Sequence, residues 1–393
     1  MEERIATVVK NAGSHYLLSE LPKWDPFPAV LRGKVRLQKS SATNPVAVGD
    51  KVSYITADEK GPLFRVASQP YTGKCSTGAI PSAVITEILP RQNYVIRKST
   101  NLSRQAHVIA ANLDQAVIAV SLFFPEIKLP FLDRILVTCE VYKIPVVIVL
   151  NKVDLYRDDA PEALAEFHRI YEGAGYRVID TSCKTGEGIA ELREACAGKL
   201  SLFSGESGVG KSSLIKAVDP SLDPKIGNIS LAHLQGKHTT SLYEMYPISS
   251  FAGRGMPPED LSTPGHASPK NGRFSGAPIP TLREGPVACD GRGRSEQSER
   301  SSSGGIHSAG IEAAGYIIDS PGLRGFGLVD LEKEEISKYF PEMLRVADEC
   351  RFVPCTHTHE PGCAVKAAVD AGEISAERYN SYLGMLEEDG KFR

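Results

Sequence analysis

The chain has 393 residues, of which 41% are hydrophobic and 24% charged, with a formal net charge of −3. That length supports two or three domains, and the near-neutral charge excludes a global basic field, so any RNA partner must be held by local patches. No run approaches the ~20 apolar residues that span a bilayer, and the acidic start Met1-Glu2-Glu3 lacks the apolar stretch of a signal peptide, so a cytosolic location with no membrane partner is expected.

Residues 1–96 read as a small all-β domain. Short β-rich runs at 5–9, 16–18, 35–37, 52–55 and 84–89 alternate with Gly, Pro, Asn and Asp. Five short strands in that length suggest a barrel of the OB-fold type, a scaffold that commonly binds oligonucleotides. Arg91, Arg97, Lys98 and Arg104 add positive charge at its exit. They read either as a solvated linker face or as RNA contacts.

Residues 97–330 change character. The run 115–122 is continuously apolar, as in a strand buried on both faces. Leu132, Ile135, Leu136 and Cys139 follow at helical spacing. A strand at 145–150, a helix at 162–172, a strand at 177–180, a helix at 189–197 and a strand at 200–203 complete an alternating pattern. That pattern defines an α/β domain with a parallel sheet. Residues 249–312 then turn rich in Gly, Ser, Pro and Arg and lose apolar periodicity, which predicts a disordered insertion. Order is expected to resume in a strand at 315–319. Residues 331–393 predict a mostly helical tail with a final helix near 375–386.

The stretch Gly205-Glu206-Ser207-Gly208-Val209-Gly210-Lys211-Ser212 fits G-x-x-x-x-G-K-[ST] between a predicted strand and a predicted helix. Its glycines let backbone N–H groups approach phosphate, Lys211 reaches the β- and γ-phosphates, and Ser212 can ligate Mg²⁺. Asn151-Lys152-Val153-Asp154 ends a predicted buried strand, where ligands of open α/β sheets bind. A carboxylate at Asp154 can accept from both N1–H and N2–H₂ of guanine, a pair that adenine does not offer. Thr181-Ser182-Cys183-Lys184 follows the next strand and resembles the loop that supports guanine from its other side in GTPases. Asp319-Ser320-Pro321-Gly322 fits D-x-x-G, with Asp319 on the Mg²⁺ shell and the Gly322 N–H sensing γ-phosphate. Gly236-Lys237-His238-Thr239-Thr240 reads as a first switch, with Thr239 or, preferably, Thr240 on Mg²⁺.

Ordinary GTPases place the guanine motifs last; here they come first, which circular permutation explains. Leu323 stands where many GTPases carry a water-orienting Gln, so His238 becomes the candidate for that role. Cys350, Cys355, His357 and Cys363 supply three thiolates and an imidazole, a donor set for closed, structural zinc, with His359 competing for the fourth place. Cys75, Cys139, Cys183, Cys196 and Cys289 are scattered and read as free thiols.

Together these residues resemble the ribosome small-subunit-dependent GTPase A family (RsgA, also called YjeQ). The resemblance rests on Thr43-Asn-Pro-Val-Ala-Val-Gly-Asp50, the permuted motif order, Ser213 closing the phosphate loop, and the Cys/His spacing. It implies an OB-fold, a permuted GTPase domain and a zinc domain. It also implies late maturation of the small (30S) ribosomal subunit, GTP hydrolysis to GDP stimulated by that subunit, rRNA contact, and a catalytic role for His238. A monomer is expected. The contrasting readings are an rRNA-binding scaffold with incidental hydrolysis and a permuted GTPase acting on the large subunit. The insertion at 249–312 departs from the family pattern.

Overall fold

In a computed structural model of the chain, the residues described are 3–13, 15–32, 45–56, 83–98, 106–222, 243–249, 311–320 and 331–387. The N-terminal strands are β1 (Arg4–Ala12), β2 (His15–Ser19), the two-residue β3 (Lys23–Trp24), β4 (Phe27–Leu31), β5 (Lys51–Thr56) and β6 (Ala83–Ile88). All but β3 close into a barrel in the order β1-β2-β4-β6-β5. Only the β4–β6 pair is parallel. Counting barrel strands alone, this is the 1-2-3-5-4 order of an OB-fold. Alternation sends Ala6, Val8, Tyr16, Leu18, Ala29, Val52, Tyr54 and Ile85 inward. The segments β3 and β4 were not expected from the sequence, because Pro26 and Pro28 interrupt the run and proline cannot donate to a ladder. The run predicted at 35–37 lies outside the described residues.

A hairpin of β7 (Tyr94–Lys98) and β8 (Ala106–Ala111) crosses the domain boundary expected at residue 96. It joins the barrel through a parallel bridge between Val48 and Ala110. Gly49 makes this contact possible: its φ is +90°, and a Cβ there would sit 2.0 Å from the Ala111 carbonyl oxygen. The buried Asp50 accepts from the Ala47 N–H at 2.8 Å and from both arms of the Arg91 fork at 2.6 and 2.7 Å. Arg91 is therefore tied into the barrel as the partner of Asp50. Arg104 lies outside the described residues.

The central elements are β9 (Gln115–Val120), α1 (Leu129–Val141), β10 (Val146–Asn151), α2 (Pro161–Ala174), β11 (Arg177–Thr181), α3 (Ile189–Cys196), β12 (Leu200–Gly205), α4 (Lys211–Val218), β13 (Met245–Ile248), β14 (Ile311–Glu312) and β15 (Gly315–Asp319). One six-stranded sheet runs β11-β10-β9-β12-β15-β13, parallel except for the edge strand β13. The continuous apolar run of β9 has a simple cause. Ile118 and Val120 pack on the α1/α2 side with Leu132, Ile135 and Phe167, while Val117 and Ala119 pack on the α3/α4 side with Leu192 and Leu214.

The ends of the predicted insertion are ordered. Ser249 donates its N–H to Asp219 at 2.7 Å, and Ile311 pairs with Trp24 as β14 joins β3. Trp24 also stacks on Tyr316 with ring centroids 6.0 Å apart. Residues 250–310 lie outside the described residues.

The tail holds a 3-10 turn (Lys333–Tyr339), α5 (Pro341–Leu344), a second 3-10 turn (Ala347–Glu349), α6 (Ala364–Asp370) and α7 (Ala376–Glu387). It has its own core of Ile336, Phe340, Met343, Val365 and Tyr382, into which Val137 of α1 also packs. At the same junction Arg378 is fully buried. It grips Glu342 at 2.7 and 3.1 Å and Asp133 of α1 at 2.8 Å, with its guanidinium 4.8 Å from the Phe340 ring centre. Among the described residues, no helix is long and apolar enough to cross a membrane.

Candidate nucleotide site and metal centre

The sheet brings the C-terminal ends of β9, β10, β11, β12 and β15 to one rim, and every described nucleotide motif lies there. β12 delivers Gly205, and α4 starts at Lys211, so the loop between them opens a helix N-terminus. Gly208 and Gly210 have φ of +89° and +95°, the left-handed region that other residues resist. A Cβ on Gly205 would meet the Ala119 carbonyl oxygen at 2.6 Å.

β10 ends in Asn151, whose side-chain amide donates to the Val209 carbonyl at 2.8 Å. The Lys152 ammonium donates to the Gly208 carbonyl at 2.6 Å and also to the Phe124 carbonyl. The guanine motif thus holds the phosphate loop directly. Thr181 at the end of β11 donates to the Asn151 side-chain oxygen at 3.1 Å, and Ser182 donates its hydroxyl to Asp154 at 2.6 Å. Lys184 stands 3.9 Å from the other Asp154 oxygen, and its backbone N–H donates to the Ser182 hydroxyl at 3.2 Å. Arg157 ties the two guanine loops together by bridging Asp180 at 3.1 Å and Glu187 at 2.5 Å. Burial, reinforced by the Asp154 carboxylate, pushes the Cys183 thiol up, so it is held as a thiol.

β15 ends in Asp319, which forms an ion pair with Lys211. Burial pushes the Lys211 ammonium down to about 8, while the Asp319 carboxylate at its side favours the charged form. Ser204 and Ser320 share a 2.9 Å hydrogen bond beneath this pair, tying β12 to β15. His238, Thr239, Thr240 and Gly322 lie outside the described residues.

In the tail, ligand atoms of Cys350, Cys355, His357 and Cys363 all lie within 4.8 Å of one another, so this cluster could hold a metal ion. Cys350 and Cys363 sulfurs are 3.9 Å apart, and His357 Nδ1 is 3.6 and 3.4 Å from them. Bonds of ~2.3 Å to sulfur set tetrahedral edges of roughly 3.8 Å, so the donor set and its spacing fit zinc. His357 takes a left-handed φ of +57°, and Tyr379 donates to its carbonyl at 2.6 Å. The Ala364 N–H donates to Cys350 Sγ at 3.4 Å. His359 is not in the cluster; its Nδ1 bonds the Thr358 hydroxyl at 2.9 Å. Cys139, Cys183 and Cys196 are free, while Cys75 and Cys289 lie outside the described residues.

Sequence reading missed the segment between β9 and α1. It carries the Phe124 carbonyl that receives Lys152, Phe123 meets Tyr156 edge-on at 5.7 Å, and Tyr156 donates to the Asn151 carbonyl at 2.7 Å. Its Phe-Phe-Pro string has no motif of its own, which is why periodicity passes over it.

A strand-ending phosphate loop clamped by an Asn-Lys-x-Asp turn that precedes it in the chain defines a circularly permuted P-loop GTPase. A family model described as RsgA GTPase matches residues 88–253. Small ribosomal subunit biogenesis GTPase RsgA of Bacteroides fragilis is 38% identical over 98% of both chains. The protein of the same name from Porphyromonas gingivalis is 36% identical over 98% of this chain and 97% of its own. Among solved structures, YjeQ from Thermotoga maritima superposes with TM-score 0.64 at 27% identity, covering 98% of each chain. YloQ, a circularly permuted GTPase, shares the fold at TM-score 0.59 and 21% identity, covering 98% of this chain and 94% of its own. The chain belongs to the RsgA GTPase family and is a GTP hydrolase.

Proposed function

We propose that the protein acts in late maturation of the small ribosomal subunit, hydrolysing GTP to GDP and phosphate with stimulation by that subunit. The observation that carries this reading is the clamp of Asn151 on Val209 and Lys152 on Gly208, which joins guanine recognition to the phosphate loop. The relatives named for small-subunit biogenesis, matched over 98% of the chain, supply the partner.

In this reading Asp154 accepts two guanine N–H bonds, the Lys152 stem covers one face of the base, and Ser182 with the backbone of Cys183 and Lys184 supports the other side. Backbone N–H groups from Gly205 through Ser213 receive the phosphates, and Lys211 leaves Asp319 for them as negative charge arrives. Ser212, Asp319 and Thr240, or Thr239 in its place, hold Mg²⁺, which when bound neutralises charge between the β- and γ-phosphates. Gly322 senses the γ-phosphate, and His238 orients the attacking water. Cys350, Cys355, His357 and Cys363 hold structural Zn²⁺ with no open position, so the metal fastens the tail. The barrel and the tail contact rRNA, and the protein works as a cytosolic monomer.

Co-sedimentation with separated ribosomal subunits tests the partner. Retention on small subunits with a non-hydrolysable GTP analogue, and release with GDP, is expected. Retention on large subunits alone contradicts the proposal.

A further inference from the structure

The buried Arg378 grips the nucleotide domain at one place, and that place leads back to the site. Asp133, its partner at 2.8 Å, is the fifth residue of α1. One helical turn, about 6 Å of axis, separates it from the start of the helix. The segment that feeds α1 is the one that seats Lys152 on the Phe124 carbonyl. Pro125 of the same segment stands 3.8 Å from where a Cβ of Gly208 would lie. Ile127, Lys128, Leu132 and Ile135 share the walls of a small cavity with Glu206 and Val209 of the phosphate loop.

The other side of α1 belongs to the tail. Asp133 also accepts from the Tyr171 hydroxyl at 3.1 Å, and Arg378 is held in turn by both oxygens of Glu342. Arg345 adds a second attachment, donating to the Gly173 carbonyl at 2.7 Å near the end of α2. All three charged side chains of the node are at most 2% exposed. A buried charge left without its partner is strongly disfavoured, so this docking has one tight geometry and few loose alternatives. Helix α1 therefore lies between two fixed contacts, the phosphate loop at its start and Arg378 one turn on.

We propose that Arg378 is a positioning residue for guanine-nucleotide binding: by holding Asp133 it fixes α1, and with it the segment that seats Lys152 and flanks Gly208. The zinc-bearing tail is then joined to the nucleotide site twice. One link is the chain running from Asp319 into the tail. The other is side-chain packing through α1, on the guanine side of the site. This rests on the reading of residues 151–154 as the guanine motif. By reciprocity, a tail that senses its binding partner alters nucleotide affinity, and nucleotide alters the hold on the tail.

Equilibrium titration with fluorescent GDP tests it on the full chain. Arg378→Met keeps the side-chain volume and removes the charge. It is expected to weaken GDP roughly tenfold, and the loss in turnover falls on KM for GTP rather than on kcat. A role confined to stability would lower the melting temperature and leave both KM and GDP affinity in place. Unchanged GDP affinity in a folded, metal-loaded R378M protein overturns the proposal. If R378M does not fold, amide exchange of the wild-type protein decides. GDP is expected to slow exchange in α7 as well as in the phosphate loop, and α7 exchange indifferent to GDP overturns the proposal. Wild-type protein that fails to prefer GDP over ADP instead sinks the guanine reading, and this inference with it.

Discussion

Asn151 and Val209, 58 residues apart, are joined by a 2.8 Å hydrogen bond from side-chain amide to backbone carbonyl. The bond makes the guanine motif a structural part of the phosphate loop. Gly210 marks how close the approach is: a Cβ there would meet Asn151 Nδ2 at 2.4 Å, at a φ of +95°. Gly210→Ala is expected to cost about 1–2 kcal/mol in backbone strain alone and to abolish nucleotide binding. A melting curve and a GDP titration check both effects.

Asp154 holds its position through the Ser182 hydroxyl at 2.6 Å. Asn at this position keeps one acceptor and gains a donor. Guanine then faces a donor where it needs an acceptor, whereas xanthine offers a carbonyl there. Asp154→Asn is expected to lose at least about tenfold in GDP affinity and to gain affinity for xanthosine diphosphate. Competition between the two nucleotides reads the exchange directly.

Lys211, with its ammonium pushed down to about 8 by burial, gives nucleotide affinity a pH dependence. Phosphates favour the charged form, so the bound state has the higher pKa and binds more protons above pH 8. Affinity is then full below about 8 and falls as pH rises through that value. Calorimetric titration of GDP between pH 7 and 8.5, in buffers of different ionisation enthalpy, should show proton uptake growing across the range. Lys211→Arg removes that uptake.

The metal cluster lies within the tail core, with Cys350 and Cys363 both buried beside Val365 and Tyr382. Cys363→Ser, or a strong chelator, is expected to release the metal this cluster holds and unfold the tail. The rest of the chain keeps its own cores in the sheet and barrel. After chelation, calorimetry is expected to show the sheet and barrel still melting cooperatively with a smaller enthalpy, the tail no longer contributing.

Much of this architecture is legible in the chain because its signals are local. The phosphate loop and the Asn151 turn each fall within eight residues at the end of an apolar run, and each follows a strand of the central sheet. His357 was legible as a ligand, but sequence alone left His359 as a competitor. One residue, Thr358, lies between them, and the left-handed turn at His357 aims its ring at the thiols. The Arg378–Asp133 pair was out of reach for a different reason. Its partners are 245 residues apart, and an arginine on a helix reads by default as a solvated surface charge. Strand β4 was hidden by Pro28, which sits inside a barrel strand that sequence rules reserve for other residues.

The permuted site is expected to turn over GTP in response to the small ribosomal subunit. GTP hydrolysis titrated with purified small subunits, with large subunits as the control, tests it most directly. Slow turnover alone and a saturable rise with small subunits only is the expected result. A rate indifferent to small subunits contradicts it.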